Sequence, residues 1–155
     1  MRIIYYCSTG VHLAALMAAI HLGHIPAQVK IKPEQVNRIE WFDLRLPASK
    51  AGSPFFVGRD EQGHEVFTMA VGNERLLAPK TIRGFLNLCG IPAHDLLLVD
   101  AQKYATFGIK LGSYLQRLGL RALGRSILVN AICQVYPNCV RQVMRVKEEL
   151  GSGPV

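Results

Sequence analysis

Residues 7–12 carry a thiol, two hydroxyls, a glycine and an imidazole: Cys7, Ser8, Thr9, Gly10 and His12. A turn of this kind, placed before a helix, lets free backbone N–H groups close on an anion. Histidine is the side chain whose charge changes near neutral pH, so His12 adds proton transfer to anion binding. Each residue also has a plainer role. A thiolate at a helix N-terminus is favoured and would make Cys7 a nucleophile, whereas a cysteine ending an interior strand is inert packing. The Cys-x5-Arg loop of low-molecular-weight phosphatases is not completed, because the next arginine is Arg38. Ser8 and Thr9 serve either a ligand or the cap of the following helix. Asp100, ending the apolar run Leu96 to Val99, is the second chemical candidate. It could hold a metal, orient His12 or cap the turn after it. His64, beside Asp60 and Glu61 in a polar turn, is placed to contribute from across a pocket or simply to face solvent.

The elements that would position these groups can be read from apolar spacing. Ile3 to Cys7 is short, apolar on both faces and rich in β-branched and aromatic residues, as an interior parallel strand is. Gly10 to Leu22 reads as a helix, with Leu13, Leu16, Met17 and Ile20 on one face and Ala15, Ala18 and Ala19 opposite. Pro33 opens a second helix that is expected to run to about Leu44. A loop from Arg45 to Pro54 leads into a β-hairpin, Phe55–Gly58 with Glu65–Met69, whose turn has Gly63 for a positive φ. Ala78 to Cys89 repeats at helical spacing and stops at Gly90. Asp95 to Asp100 reads as a second buried strand, parallel to the first and adjacent to it. Ile109–Leu118 and Ser126–Leu150 read as helices, broken around Gly119 to Gly124 and stepped at Tyr136-Pro137.

Strands followed by helices give an α/β fold. We expect a single three-layer domain over residues 1–150, with a short, mainly parallel central sheet, a β-hairpin near 55–69, a helical C-terminal third and a frayed tail at 151–155. In such sheets ligands bind beyond the carboxyl ends of the strands. Cys7, Ser8, Thr9, Gly10 and His12 would therefore face Asp100, with Arg125 nearby for ligand binding. The loop lacks the lysine and glycines of G-x-x-x-x-G-K-[ST], so an ordinary P-loop NTPase is excluded while a shorter anion loop is not.

The charge is distributed unevenly. The net charge is +7 over 155 residues, and Ala101 to Lys147 holds eight bases and no acid. A basic helical surface that includes Arg117, Arg121 and Arg125 suits nucleic acid or an acidic protein partner, or is only a solvated face. Aromatic residues are few there, and no R-G-G or RNP-like signature provides base stacking. Cys7, Cys89, Cys133 and Cys139 form no C-x-x-C pair and read as reduced thiols, the last three on apolar helix faces. No metal is expected, and no cofactor is specified by these residues. No run is long enough to span a bilayer and the N-terminus does not read as a signal peptide, so the expectation is a cytoplasmic protein without a membrane partner.

Taken together, several segments resemble one bacterial family. They are the opening strand with its Gly10-x-His12 turn, Ala18-Ala19-Ile20-His21-Leu22-Gly23, Val57 through Val66, Leu96 through Asp100, Leu123-Gly124-Arg125-Ser126 and Tyr136-Pro137. The chain resembles domain of unknown function 3189 over nearly its whole length. The resemblance implies no established activity. It implies a turn of the type Gly-Gly-x-His-Ser-Ser, of which this chain keeps Gly10 and His12 but has Thr9, Leu13 and Ala14 in place of glycine and hydroxyls.

Overall fold

In the computed structural model, the described residues are 1–8, 12–28, 30–39, 41–42 and 52–151. The elements are β1 (Arg2–Cys7), α1 (His12–His21), α2 (Pro33–Asn37), β2 (Phe55–Arg59), β3 (Glu65–Ala70), α3 (Leu77–Leu88), β4 (Leu96–Asp100), α4 (Phe107–Arg117) and α5 (Arg121–Gly151). The strands form one open sheet in the order β2-β3-β1-β4. β1 is parallel to both β3 and β4, with Tyr6 opposite Met69 on one side and Asp100 on the other. β2 runs antiparallel to β3 and carries a bulge between Phe56 and Gly58. The hairpin turn uses Gly63 at φ 80°.

Side chains alternate along a strand, so β1 feeds two cores. Ile3, Tyr5 and Cys7 face the larger core with α1 and α5, while Ile4 and Tyr6 meet Met69, Val71, Ala78 and Ile82 on the α3 side. This makes three layers. α1 is buried at every position from Leu13 to His21, as expected of a helix apolar all round. α5 buries Leu128, Ile132, Val135, Cys139, Val143 and Val146, a stripe at three- and four-residue spacing.

Several sequence expectations change. The second helix does not reach Leu44: α2 ends at Asn37, and the chain turns by three-residue steps, Ile39 N–H to the Val36 carbonyl and Phe42 N–H to that of Ile39. Those steps keep Val36, Ile39 and Phe42 buried on one side. Residues 43–51, which hold most of the expected loop, lie outside the described residues. The break expected over Gly119 to Gly124 shrinks to Leu118–Leu120, where Gly119 takes φ 89°. α5 then continues through Pro137 without a step. A proline inside a helix removes one hydrogen bond, but here Val135, Tyr136 and Cys139 are buried around it and the Tyr136 hydroxyl donates to the Pro26 carbonyl. Gly124 belongs to α5, where it lies against Gly112 of α4; a Cβ on Gly112 would be 2.7 Å from the Gly124 carbonyl oxygen. Gly151 is the last helical residue rather than tail, and 152–155 lie outside the described residues. Cys89 ends α3 and is exposed, not packed, and Cys133 is only half-buried.

Candidate functional site

The connections determine where a crevice can form. α1, after β1, packs on one face of the sheet, and α3, after β3, packs on the other. Adjacent strands whose following helices go to opposite faces leave an opening beyond their carboxyl ends. In this fold that opening lies beyond Cys7 and Ala70, and the Val71 N–H donates to the Cys7 carbonyl at 2.9 Å.

A chain of polar contacts runs along this end of the sheet. The Ser8 N–H donates to Gln102 Oε1 at 3.2 Å, and the Gln102 N–H donates to Asp100 Oδ1 at 3.0 Å. Asp100 thereby caps the 3-10 turn Ala101–Tyr104. Its other oxygen stands 3.5 Å from Arg75 Nε. Ser8 and Asp100 are thus linked through Gln102, and Arg75 enters from the loop before α3.

His12 opens α1. Its Nδ1 lies 2.9 Å from the Phe42 carbonyl oxygen, and the two rings are 5.0 Å apart. A carbonyl only accepts, so Nδ1 carries the proton and in the neutral ring Nε2 holds the lone pair. No described contact joins His12 to Asp100. Arg125 donates to Asn37 Oδ1 at 2.9 Å, five residues before Phe42 in the chain. Cys7 is 2 % exposed, and burial pushes its thiol up to about 12, with the Asp100 charge adding to the rise against a hydrogen bond from Ala14. At neutral pH Cys7 is therefore a thiol. Thr9 and Gly10 lie outside the described residues.

The matching family model is described as protein of unknown function (DUF3189), and it covers residues 2–148 of 155. The chain belongs to this family. No curated protein and no solved structure matches it.

In this DUF3189 protein a cavity of about 230 Å³ lies between the end of β3 and the first turns of α3, lined by Met69, Val71, Glu74, Leu77, Ala78 and Thr81. No local sequence pattern signals it, because its walls come from a strand end and a helix that meet only in the fold. Arg75 escapes sequence reasoning for the same reason.

His64 is not across this crevice. It precedes Glu65, which pairs with Arg2 at the amino end of β1, about 16 Å along the strand from Cys7. There it belongs to a buried network. The Tyr5 hydroxyl donates to His21 Nδ1 at 2.7 Å, and His21 Nε2 donates to Asp60 Oδ2 at 3.1 Å. His64 Nδ1 donates to the same oxygen at 2.9 Å, while Asp60 Oδ1 accepts the Gln62 and His64 amides. Burial holds the His21 imidazole below its ordinary value, against the opposing pull of Asp60. Asp60 is also pushed up by burial, but the hydrogen bonds from His21 and His64 outweigh this and bring it down to about 2. Tyr5 and His21 are fully buried, so the network fastens the hairpin turn to α1. A carboxylate four residues before a histidine, Asp60 and His64, is the sequence signal available for it.

Among the described residues no group of three or more His, Cys, Asp or Glu side chains could hold a metal ion. No described helix is long and apolar enough to cross a membrane.

Proposed function

We propose that this domain binds a small anionic molecule at the carboxyl end of β1, on the turn from Ser8 through Thr9 and Gly10 to His12. The observation carrying this reading is the link Ser8–Gln102–Asp100–Arg75, which gathers polar groups from three separate segments at the carboxyl end of the sheet. The amino end of α1 and the Arg75 guanidinium supply anion affinity. Asp100 orients Arg75 and the 3-10 turn. His12, its tautomer held by Phe42, is the group for proton transfer in any reaction at this place. Arg125 contributes from the segment that holds His12. The buried thiol of Cys7 supports a packing role better than a nucleophilic one. The cofactor stays unassigned, and reduced thiols fit a cytoplasmic location.

Thermal shift tests this reading. A ligand at 100 times its Kd stabilises by about 2.7 kcal/mol, which is about 5–10 °C for a chain of this length. Inorganic phosphate or a nucleotide should raise Tm in the wild type and less in Arg75→Gln and His12→Ala. Equal shifts in all three proteins, or none with any anion, would refute it.

A second reading rests on the α4–α5 corner. Arg117 and Arg121 are exposed and in no described ion pair, and Leu118, Leu120 and Leu123 beside them are 60 %, 52 % and 55 % exposed. This surface suits an acidic protein or nucleic acid, with Arg125 at its margin. Binding there should weaken steeply with salt and disappear when Arg117 and Arg121 are changed to glutamate. Salt-independent binding would remove the idea.

A further inference from the structure

The two edges of the sheet are built differently. β2 has a bulge at Phe56–Gly58 and ends in Arg59, both devices that keep an edge from pairing with another chain. β4 has neither. Its residues Leu96, Leu97, Leu98 and Val99 are uncharged and lie in regular register with β1 on one side. On its other side no backbone hydrogen bond is made to any described residue. Leu97 and Val99 face the α1 side and Leu96 and Leu98 the α3 side, yet all three leucines stay half-buried. Such an edge is a template for strand addition.

We propose that β4 pairs antiparallel with β4 of a second copy of this chain, joining two four-stranded sheets into one of eight. The charges favour a second copy in this orientation. With Leu98 on the two-fold axis, Leu97 lies opposite residue 99 and Leu96 opposite residue 100 of the other copy, so no two acids meet. Asp95 then aligns with residue 101, two residues from the other copy's Lys103. A parallel arrangement would set Asp100 beside Asp100. Five residues of strand alone fall short of the roughly 1,200 Å² that a stable dimer buries. Further apolar surface is at hand: Leu88 is 87 % exposed at the end of α3 and Ile91 is 39 % exposed before β4 begins. Phe107, just past the 3-10 turn that follows β4, is 78 % exposed.

Sedimentation equilibrium across a concentration series reads the assembly directly, with a limiting mass of about twice 17.2 kDa expected. Leu98→Lys should be monomeric, and Phe56→Lys on the β2 edge should remain dimeric. Because Leu98→Lys could also disturb folding, amide exchange on the unaltered protein gives a second reading. The outward-facing amides of Leu96–Val99 should exchange at least about tenfold more slowly at high protein concentration than at low. A monomer at every concentration overturns the proposal. So does a dimer whose β4 amides exchange equally fast at both concentrations, or one that is broken by Phe56→Lys and not by a folded Leu98→Lys. Mixed oligomers with a foreign peptide strand and no self-association would transfer the edge to a different partner and likewise overturn it.

Discussion

Replacing glycine by alanine in a helix should have opposite effects at Gly84 and Gly112. Gly84 lies in α3 with nothing within 4 Å of the position a Cβ would take. Alanine there gains only helix propensity, about 0.5–1 kcal/mol. At Gly112 the same Cβ would lie 2.7 Å from the Gly124 carbonyl oxygen and 2.8 Å from both the backbone nitrogen and the Cβ of Leu128. These are mostly backbone atoms of the facing helix, so rotamer changes cannot clear them and α4 must move off α5. Such overpacking costs about 3 kcal/mol at the upper end of its range. Against a propensity gain of about 1 kcal/mol, a net loss of about 2 kcal/mol remains. For a chain of this length each kcal/mol moves Tm by about 2–4 °C. Thermal unfolding followed by far-ultraviolet circular dichroism should therefore show Gly84→Ala about 1–4 °C above the wild type and Gly112→Ala about 4–8 °C below it. If Gly112→Ala unfolds at or above the wild-type temperature, the close approach of α4 and α5 is wrong.

Thr68 is fully buried and its hydroxyl has no hydrogen-bond partner among the described residues; Thr68→Val should stabilise by about 1 kcal/mol, seen as a higher urea midpoint at unchanged m-value. Tyr5→Phe removes the donor to His21 Nδ1 and leaves that nitrogen buried and unpaired, at a cost of about 1–3 kcal/mol in the same assay; no loss would mean that water satisfies the ring. The pH dependence has a definite sign. His21 is held below its ordinary value of 6.5 in the folded protein, so the unfolded chain takes up a proton first and stability falls as pH drops below about 6.5. Asp60, lowered from 3.8 to about 2, adds a second loss across that lower interval. His21→Gln should flatten the decline of Tm between about pH 7 and pH 5, and an unchanged slope would assign the decline to other groups.

The strands and the hairpin were legible in the sequence because their signals are local. Ile3 to Cys7 and Leu96 to Val99 are apolar on both faces, and Gly63 marks its turn. α3 was legible from Ile82, Phe85, Leu86 and Gly90. Local pattern misled where tertiary packing decides. Pro137 and Gly124 look like breakers, yet one sits in a helix locked by buried neighbours and the other is needed so that α4 can touch α5. The adjacency of β1 and β4 was readable, and with it the nearness of Ser8 to Asp100. The partner groups were not: Gln102 reaches back to Ser8, Arg75 crosses from another loop, and His12 turns to the carbonyl of Phe42. Each contact depends on a loop path that no periodicity encodes. The same holds for His21, whose role depends on where the hairpin turn settles.

β1 precedes the other three strands in the chain, yet it lies between β3 and β4. During translation it emerges with α1 as two apolar segments joined by a short polar turn, and its last sheet neighbour is complete only when Asp100 has been made. At about 5–20 residues per second this segment waits roughly 5–20 seconds for that strand. Any deletion or bulky insertion that displaces Arg2–Cys7 removes the middle of the sheet.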